Sequence, residues 1–354
     1  MGFTNDMPAD EAWTFEKVSG GKRRHSDAVC VERIRDAAMT IADYIKKTPT
    51  LREYHLSERF GTNFYLKHEI LQYTGAFKVR GAFNKMLSLT LRERKRGVVA
   101  VSGGNHAQAV AFAARRLGIK ALTLMPEFTP ENYVRETLRL GAEVRKFRTL
   151  TDAFAAADKY VEKGMTMIHP FDDAHVVCGQ GTIGFEILRD VPNVTDVIVS
   201  IGGGGLAAGI STVLKSIRPE INIWGVETKG ADSMSKALDA GKPFDIGEMT
   251  SIARTLGATR VGKIPFEVVR KTLADVLVVD DAEAVRELFL LLDKSKILTE
   301  PAASCTLAAA ERLKDEFGPE RHVVAVLCGG NLAIEDLLNL REEYPFDLRV
   351  AAAV

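Results

Sequence analysis

A wholly apolar strand, a glycine-rich turn and a helix with one apolar stripe follow one another in this chain, and the combination recurs. Val98-Val99-Ala100-Val101 leads through Ser102-Gly103-Gly104-Asn105 into a helix with Ala107, Val110, Ala111, Ala114 and Leu117 on one face. Val197 to Ile201 leads into Gly202-Gly203-Gly204-Gly205 and a helix from Leu206 to about Leu214. Val323 to Leu327 leads into Cys328-Gly329-Gly330-Asn331. A strand apolar on both faces belongs inside a parallel sheet covered by helices, and parallel neighbours need crossover connections. Shorter runs at Asn63 to Lys67, Ala121 to Met125, Glu143 to Phe147, Met165 to Ile168, Ile223 to Glu227 and Val276 to Val279 alternate with helical patterns. The expected fold class is therefore α/β, with two doubly wound, mostly parallel sheet domains.

With 354 residues the chain exceeds the usual size of one core, and two units sharing an interface are expected. We place the larger over 1–96 and 172–354, and a smaller inserted unit over 97–171. Residues 1–29, polar and unpatterned, read as a loosely ordered arm. A helical stripe through Ile34, Ala37, Ala38, Ile41 and Ile45 follows and stops before Pro49.

The 47 basic residues balance 47 acidic ones, so no nucleic-acid partner is expected. Cys30, Cys178, Cys305 and Cys328 form no C-x-x-C pair and no disulfide framework, which suits a reducing compartment. No apolar run is long enough to span a bilayer and no secretory signal is seen, so no membrane partner is expected and the predicted location is cytoplasmic.

Within Gln72-Tyr73-Thr74-Gly75-Ala76-Phe77-Lys78-Val79-Arg80-Gly81-Ala82-Phe83, Lys78 stands between two apolar residues. Desolvation there disfavours the ammonium and leaves a nucleophilic amine. Taken alone, Lys78 is one of 47 basic residues and reads as surface charge. The glycine-rich turns alter the reading, because a turn that opens a helix aims backbone N–H groups at an anion. The tetraglycine turn lacks the G-x-G-x-x-G spacing of a dinucleotide site and suits a terminal phosphate.

Thr74-Gly75-Ala76-Phe77-Lys78-Val79-Arg80-Gly81-Ala82, Ser102-Gly103-Gly104-Asn105-His106-Ala107-Gln108, the tetraglycine turn and Cys328-Gly329-Gly330-Asn331, in this order, resemble the fold-type II pyridoxal-phosphate enzymes. The likeness runs from about Ile34 to Leu340 and falls in the serine/threonine dehydratase and serine racemase branch. It implies a fold like that of the tryptophan synthase β-subunit, pyridoxal 5'-phosphate bound in the larger unit, and Lys78 as its covalent anchor and α-proton base. It implies Phe77 beside the ring, Asn105 on the ring hydroxyl, and Gly202, Gly203, Gly204, Gly205 and Leu206 around the phosphate. It implies Cys328 against the pyridine nitrogen. The turn Ser102, Gly103, Gly104, Asn105 and His106 would hold the carboxylate of a small amino-acid substrate.

The activity so implied is α,β-elimination from L-threonine or L-serine to a 2-oxo acid and ammonia. Alternatives are dehydration of 3-hydroxyaspartate, phenylserine or a related hydroxy amino acid, and serine racemisation. Outside this class stand a silent cofactor-binding protein and a nicotinamide oxidoreductase. The likeness also implies a homodimer or homotetramer; as the chain ends soon after Asn331, feedback control through a further C-terminal domain is not expected.

Three positions depart from the pattern. Gly103 replaces the serine that acts, in the racemase pattern, from the ring face opposite the lysine, so elimination is expected to exceed racemisation. Glu227 and the Ala231 carbonyl match a divalent-metal position, but Ser233 replaces its third acidic ligand; no metal ligands are assigned and a divalent cation is left open. Arg254 stands where many relatives carry an Asp-Gly pair, and reads either as a surface arginine or as the reader of a second substrate carboxylate. Glu300 resembles a glutamate near the cofactor ring, or equally a carboxylate at a helix start. His106 reads as a structural hydrogen bond that orients its turn.

Overall fold

The computed structural model describes residues 28–346; the expected arm at 1–29 falls almost wholly outside them. The strands are β1 (Thr50–Arg52), β2 (Asn63–His68), β3 (Val98–Val101), β4 (Ala121–Pro126), β5 (Glu143–Phe147), β6 (Thr166–Met167), β7 (Asp196–Ser200), β8 (Asn222–Thr228), β9 (Asp275–Val279) and β10 (His322–Leu327). One six-stranded sheet runs β1-β2-β10-β7-β8-β9 and one four-stranded sheet runs β5-β4-β3-β6. Every pairing is parallel except that of β1 with β2. The expected α/β class and mostly parallel sheets are what the structure has.

Burial along the strands follows their place in the sheet. β3, β4 and β7 are buried at every position, whereas the edge strand β5 is exposed at three of its five positions and fully buried at none. β1 escapes sequence reading because only Thr50 is buried in it, and three residues with one buried position carry no period. The first helix, Val31–Ile41, is shorter than its apolar stripe predicts. Ile45 still packs on the core after the backbone has left the helix, so the periodicity outlasts the element.

Each sheet has a point where the winding reverses. From β7 the chain proceeds outward to β8 and β9, while β10 lies on the other side; from β3 it proceeds to β4 and β5, with β6 opposite. The crevice at the carboxyl end of strands flanking such a point is where open α/β sheets bind ligands. The turns after β3, β7 and β10 are the three glycine-rich turns of the sequence.

The helix Lys78–Leu87 lies between the two halves. Val79, Ala82, Phe83 and Met86 pack with Ile41, Val98 and Val110. On the same helix Arg80 is fully buried and holds two carboxylates at once. Its Nε and Nη2 donate to Glu69 at 2.8 and 2.7 Å, and its Nη1 and Nη2 donate to Glu186 at 2.7 and 2.9 Å. Buried Lys67 donates to the same Glu186 at 2.6 Å, so two cations and two anions neutralise one another beneath the helix that begins with Lys78.

Candidate active site

Lys78 is the first residue of its helix, and the chain leading to it is pinned to the turn after β10. Phe77 N–H donates to the Cys328 carbonyl at 3.1 Å, Gly330 N–H donates to the Gly75 carbonyl at 3.0 Å, and Ala76 pairs antiparallel with Gly329. The Lys78 Nζ donates to the Pro170 carbonyl at 3.0 Å and lies 5.1 Å from the centre of the Phe77 ring. Burial lowers the lysine pKa from 10.5 to about 8, against the pull of Cys328 and Glu300. Pro170 belongs to the segment after β6, which sequence reasoning misses because His169-Pro170-Phe171-Asp172 has no period and no glycine.

The tetraglycine turn joins β7 to the helix Gly205–Ile217. Packing by itself demands glycine at three of its four positions. A Cβ on Gly202 would lie 2.6 Å from the Leu256 carbonyl oxygen, one on Gly203 would fall on the Phe171 ring, and Gly204 has φ +89°. Packing thus accounts for three of the four glycines with or without a ligand. What points to an anion is different: among the described residues the N–H groups of Gly202 through Leu206 have no acceptor.

The turn after β3 has the same property. Ser102 N–H donates to the Leu124 carbonyl and Gly104 N–H to Ser102 Oγ, but the N–H groups of Gly103, Asn105 and His106 have no acceptor among the described residues. The helix Asn105–Leu117 begins there. His106 is buried and its Nε2 is 2.8 Å from the Ile168 carbonyl, so that nitrogen carries the proton. Burial, reinforced by Lys78, lowers the His106 pKa to about 3, and the ring stays neutral while anchoring the turn.

Asn105 is held from both sides. Its Nδ2 donates to Glu300 Oε1 at 2.9 Å, and its Oδ1 accepts from Asn331 Nδ2 at 2.8 Å. Glu300 precedes the helix Pro301–Arg312 yet makes no cap with its side chain, and so does not behave as a plain helix-start carboxylate. Burial raises its pKa to about 7, opposed by Thr255, Asn105 and Lys78. Asn331 also donates to the Thr74 carbonyl at 2.6 Å, and its own carbonyl accepts from the Tyr133 hydroxyl at 2.9 Å. Tyr133 gives no sign in the sequence, being one aromatic among the stripe residues of a surface helix.

Cys328 closes the group. Its Sγ accepts from Ser200 Oγ at 3.4 Å and lies 3.6 Å from the Ala302 carbonyl, and burial pushes the thiol up to about 12. It is a neutral thiol at any ordinary pH.

The metal candidates lie elsewhere, at the end of β8. Glu227 is fully buried, and its two oxygens accept from the Met234 and Ser235 N–H groups at 2.7 and 2.8 Å. It caps the helix Ser233–Ala240, whose first residue is Ser233, and burial raises its pKa to about 8. Among the described residues no group of three or more acidic, histidine or cysteine side chains could hold a metal. A single capping carboxylate and a hydroxyl fall short of the oxygen shell a hard divalent cation takes.

The model of the pyridoxal-phosphate dependent enzyme family matches residues 41–329. The chain belongs to that family. An L-threonine ammonia-lyase of Thermotoga maritima is 39% identical over 308 residues, 86% of this chain and 76% of that protein. Among solved structures, the processed form of threonine deaminase isoform 2 from Solanum lycopersicum superposes with a TM-score of 0.84 at 32% identity, covering 89% of this chain and 93% of that one. Maize serine racemase superposes with a TM-score of 0.83 at 32% identity, covering 89% and 98%. For a pyridoxal-phosphate dependent enzyme the donors are apt: a desolvated amine suits the aldehyde, and a helix start with free N–H groups suits the phosphate. No helix among the described residues is long and apolar enough to cross a membrane.

Proposed function

We propose that the chain is an ammonia-lyase that takes L-threonine and L-serine to a 2-oxo acid and ammonia. The observation that carries this reading is a buried amine near two helix starts whose N–H groups lack acceptors: Lys78 bonds to Pro170, next to the Phe171 ring packed on Gly203, and its charge acts on His106. The turn at Gly202 to Leu206 would hold a phosphate and the turn at Ser102 to His106 a carboxylate. The ammonia-lyase and threonine deaminase relatives support the same activity.

Bound pyridoxal phosphate supplies an electron sink beside the substrate amine. Lys78 would anchor it and, as a free amine, take the α-proton; a pKa near 8 leaves a fraction of the amine unprotonated at neutral pH. Phe77 would pack beside the ring, and Asn105, fixed by Glu300 and Asn331, would present its amide to the ring hydroxyl. Cys328, as a neutral thiol, would not hold a proton on the ring nitrogen as a carboxylate would, and the weaker sink would favour loss of the β-hydroxyl over a long-lived carbanion. Water lost at the β-carbon returns when the carbon–nitrogen bond is hydrolysed, so the overall products are the 2-oxo acid and ammonia.

A second reading, a substrate with a further carboxylate such as 3-hydroxyaspartate, is favoured by one observation. Arg254 is exposed, makes no ion pair or side-chain hydrogen bond among the described residues, and precedes Thr255, whose methyl lies 3.6 Å from where a Cβ on Gly104 would sit. We read the larger and smaller units at 1–96 with 172–354 and at 97–171. The chain works as a homodimer or homotetramer in the cytoplasm, a location supported by four unpaired cysteines.

The test is 2-oxo acid release across L-threonine, L-serine, 3-hydroxyaspartate and phenylserine. Release from threonine and serine, lost together with the visible absorbance of bound cofactor in Lys78→Ala, is the expected result. With Gly103 in place of a serine, D-serine should form far more slowly than ammonia. No cofactor absorbance in the purified protein, or D-serine formed as fast as ammonia, contradicts the proposal.

A further inference from the structure

The segment between β4 and the helix Glu131–Arg139 carries Thr129, which none of the roles above uses. Its N–H donates to the Pro126 carbonyl at 3.0 Å, closing a tight turn that brings the side chain over the Ser102 to His106 turn. There the Thr129 hydroxyl oxygen is 2.5 Å from the point a Cβ on Gly103 would occupy, and the Thr129 methyl is 3.3 Å from that point. Thr129 is 6% exposed, and its hydroxyl has no hydrogen-bond partner among the described residues.

A buried hydroxyl without a partner is destabilising, and valine has the same shape without that cost. Shape alone therefore does not account for threonine here. Nor does a local bond to the backbone, the usual use of a loop threonine, because this hydroxyl makes none. The neighbouring groups that also lack partners are donors, the N–H groups of Gly103, Asn105 and His106. One group that satisfies three N–H donors and a hydroxyl together must be an acceptor, and the start of a helix favours a negative one.

We infer that Thr129 is a substrate-binding residue whose hydroxyl donates to the α-carboxylate held at the Ser102 to His106 turn. Gly103 is glycine because the Thr129 hydroxyl fills the space a side chain would take. This rests on the assignment of that turn to the substrate carboxylate made under the proposed function.

The test is an absorbance titration of the cofactor-loaded enzyme with L-serine and with L-serinamide, which keeps the amine and hydroxyl but has no carboxylate. Thr129→Val should weaken L-serine about ten- to a hundredfold, the range for a hydrogen bond to a charged group, and serinamide less than about threefold. Thr129→Ser should return L-serine to within about threefold of wild type. The melting temperature of Thr129→Val should equal or exceed that of wild type, since an unpaired buried hydroxyl is gone. L-serine bound as in wild type, both ligands weakened alike, or a Thr129→Val protein that melts early or fails to fold each overturns the inference. Thr129→Ala gives a second hydroxyl-free variant, for which the same selective loss of L-serine is expected. A wild-type enzyme that binds neither ligand and releases no 2-oxo acid refutes the proposed function instead, and the inference falls with it.

Discussion

The behaviour of Lys78 follows from where its amine is kept. With its pKa lowered from 10.5 to about 8, the unprotonated form at neutral pH is about a tenth of the population, several hundredfold more than for a solvated lysine. Reconstitution of cofactor-free protein with pyridoxal phosphate should accelerate as pH rises and level off just above pH 8. A rate still climbing towards pH 10.5 would contradict the burial argument. The flanking Phe77 and Val79 mark this lysine as a candidate in the sequence itself. The carbonyl that receives its proton is not legible there, because Pro170 lies 92 residues further along the chain. The same holds for His106: its position beside the turn is local information, whereas its bond to Ile168, 62 residues away, is a product of the fold.

Among the elements, the Lys78–Leu87 helix depends most on a group unrelated to the chemistry. Arg80 bonds to carboxylates 11 and 106 residues away, and all of them are buried. Deleting one member of such a group leaves uncompensated charge in a dry place, so Arg80→Ala should cost about 3–5 kcal/mol of stability. The denaturant midpoint of the cofactor-free protein measures it, and a loss below about 1 kcal/mol would mean water reaches Glu69 and Glu186. Central strands such as β3 and β7 are readable in the sequence because burial on both faces leaves an unbroken apolar run. β1 and the end of the first helix are not, because one buried position makes no pattern and packing continues where the helical backbone stops. The glycine run is legible in the sequence, but its contacts with Leu256 and Phe171, which demand glycine at Gly202 and Gly203 with or without a ligand, are not.

Across the whole molecule, hydrogen bonds at the site tie the half built on the four-stranded sheet to the half built on the six-stranded one. Among them are Asn105 to Glu300, Asn331 to Asn105 and to Gln108, and Tyr133 to the Asn331 carbonyl. Tyr133→Phe should cost about 1 kcal/mol and speed amide hydrogen exchange in the helix Glu131–Arg139, with little change in β7 or β10. Equal acceleration in all three would show that the bond is not a local tie between the halves. The sequence offers little on this scale. No composition change marks a boundary, because the Lys78 helix packs on helices of both halves.

The double hold on Asn105 has a thermodynamic consequence. Its amide is gripped by one half through Glu300 and Asn331 while it belongs to the other, so whatever takes up a position against that amide senses whether the halves are together. Linkage then runs both ways: the factor by which approach of the halves strengthens binding is the factor by which binding favours their approach. Affinity at this site and the resistance of the intact molecule to proteolysis should therefore rise and fall together, even when the change that moves them lies far from Lys78.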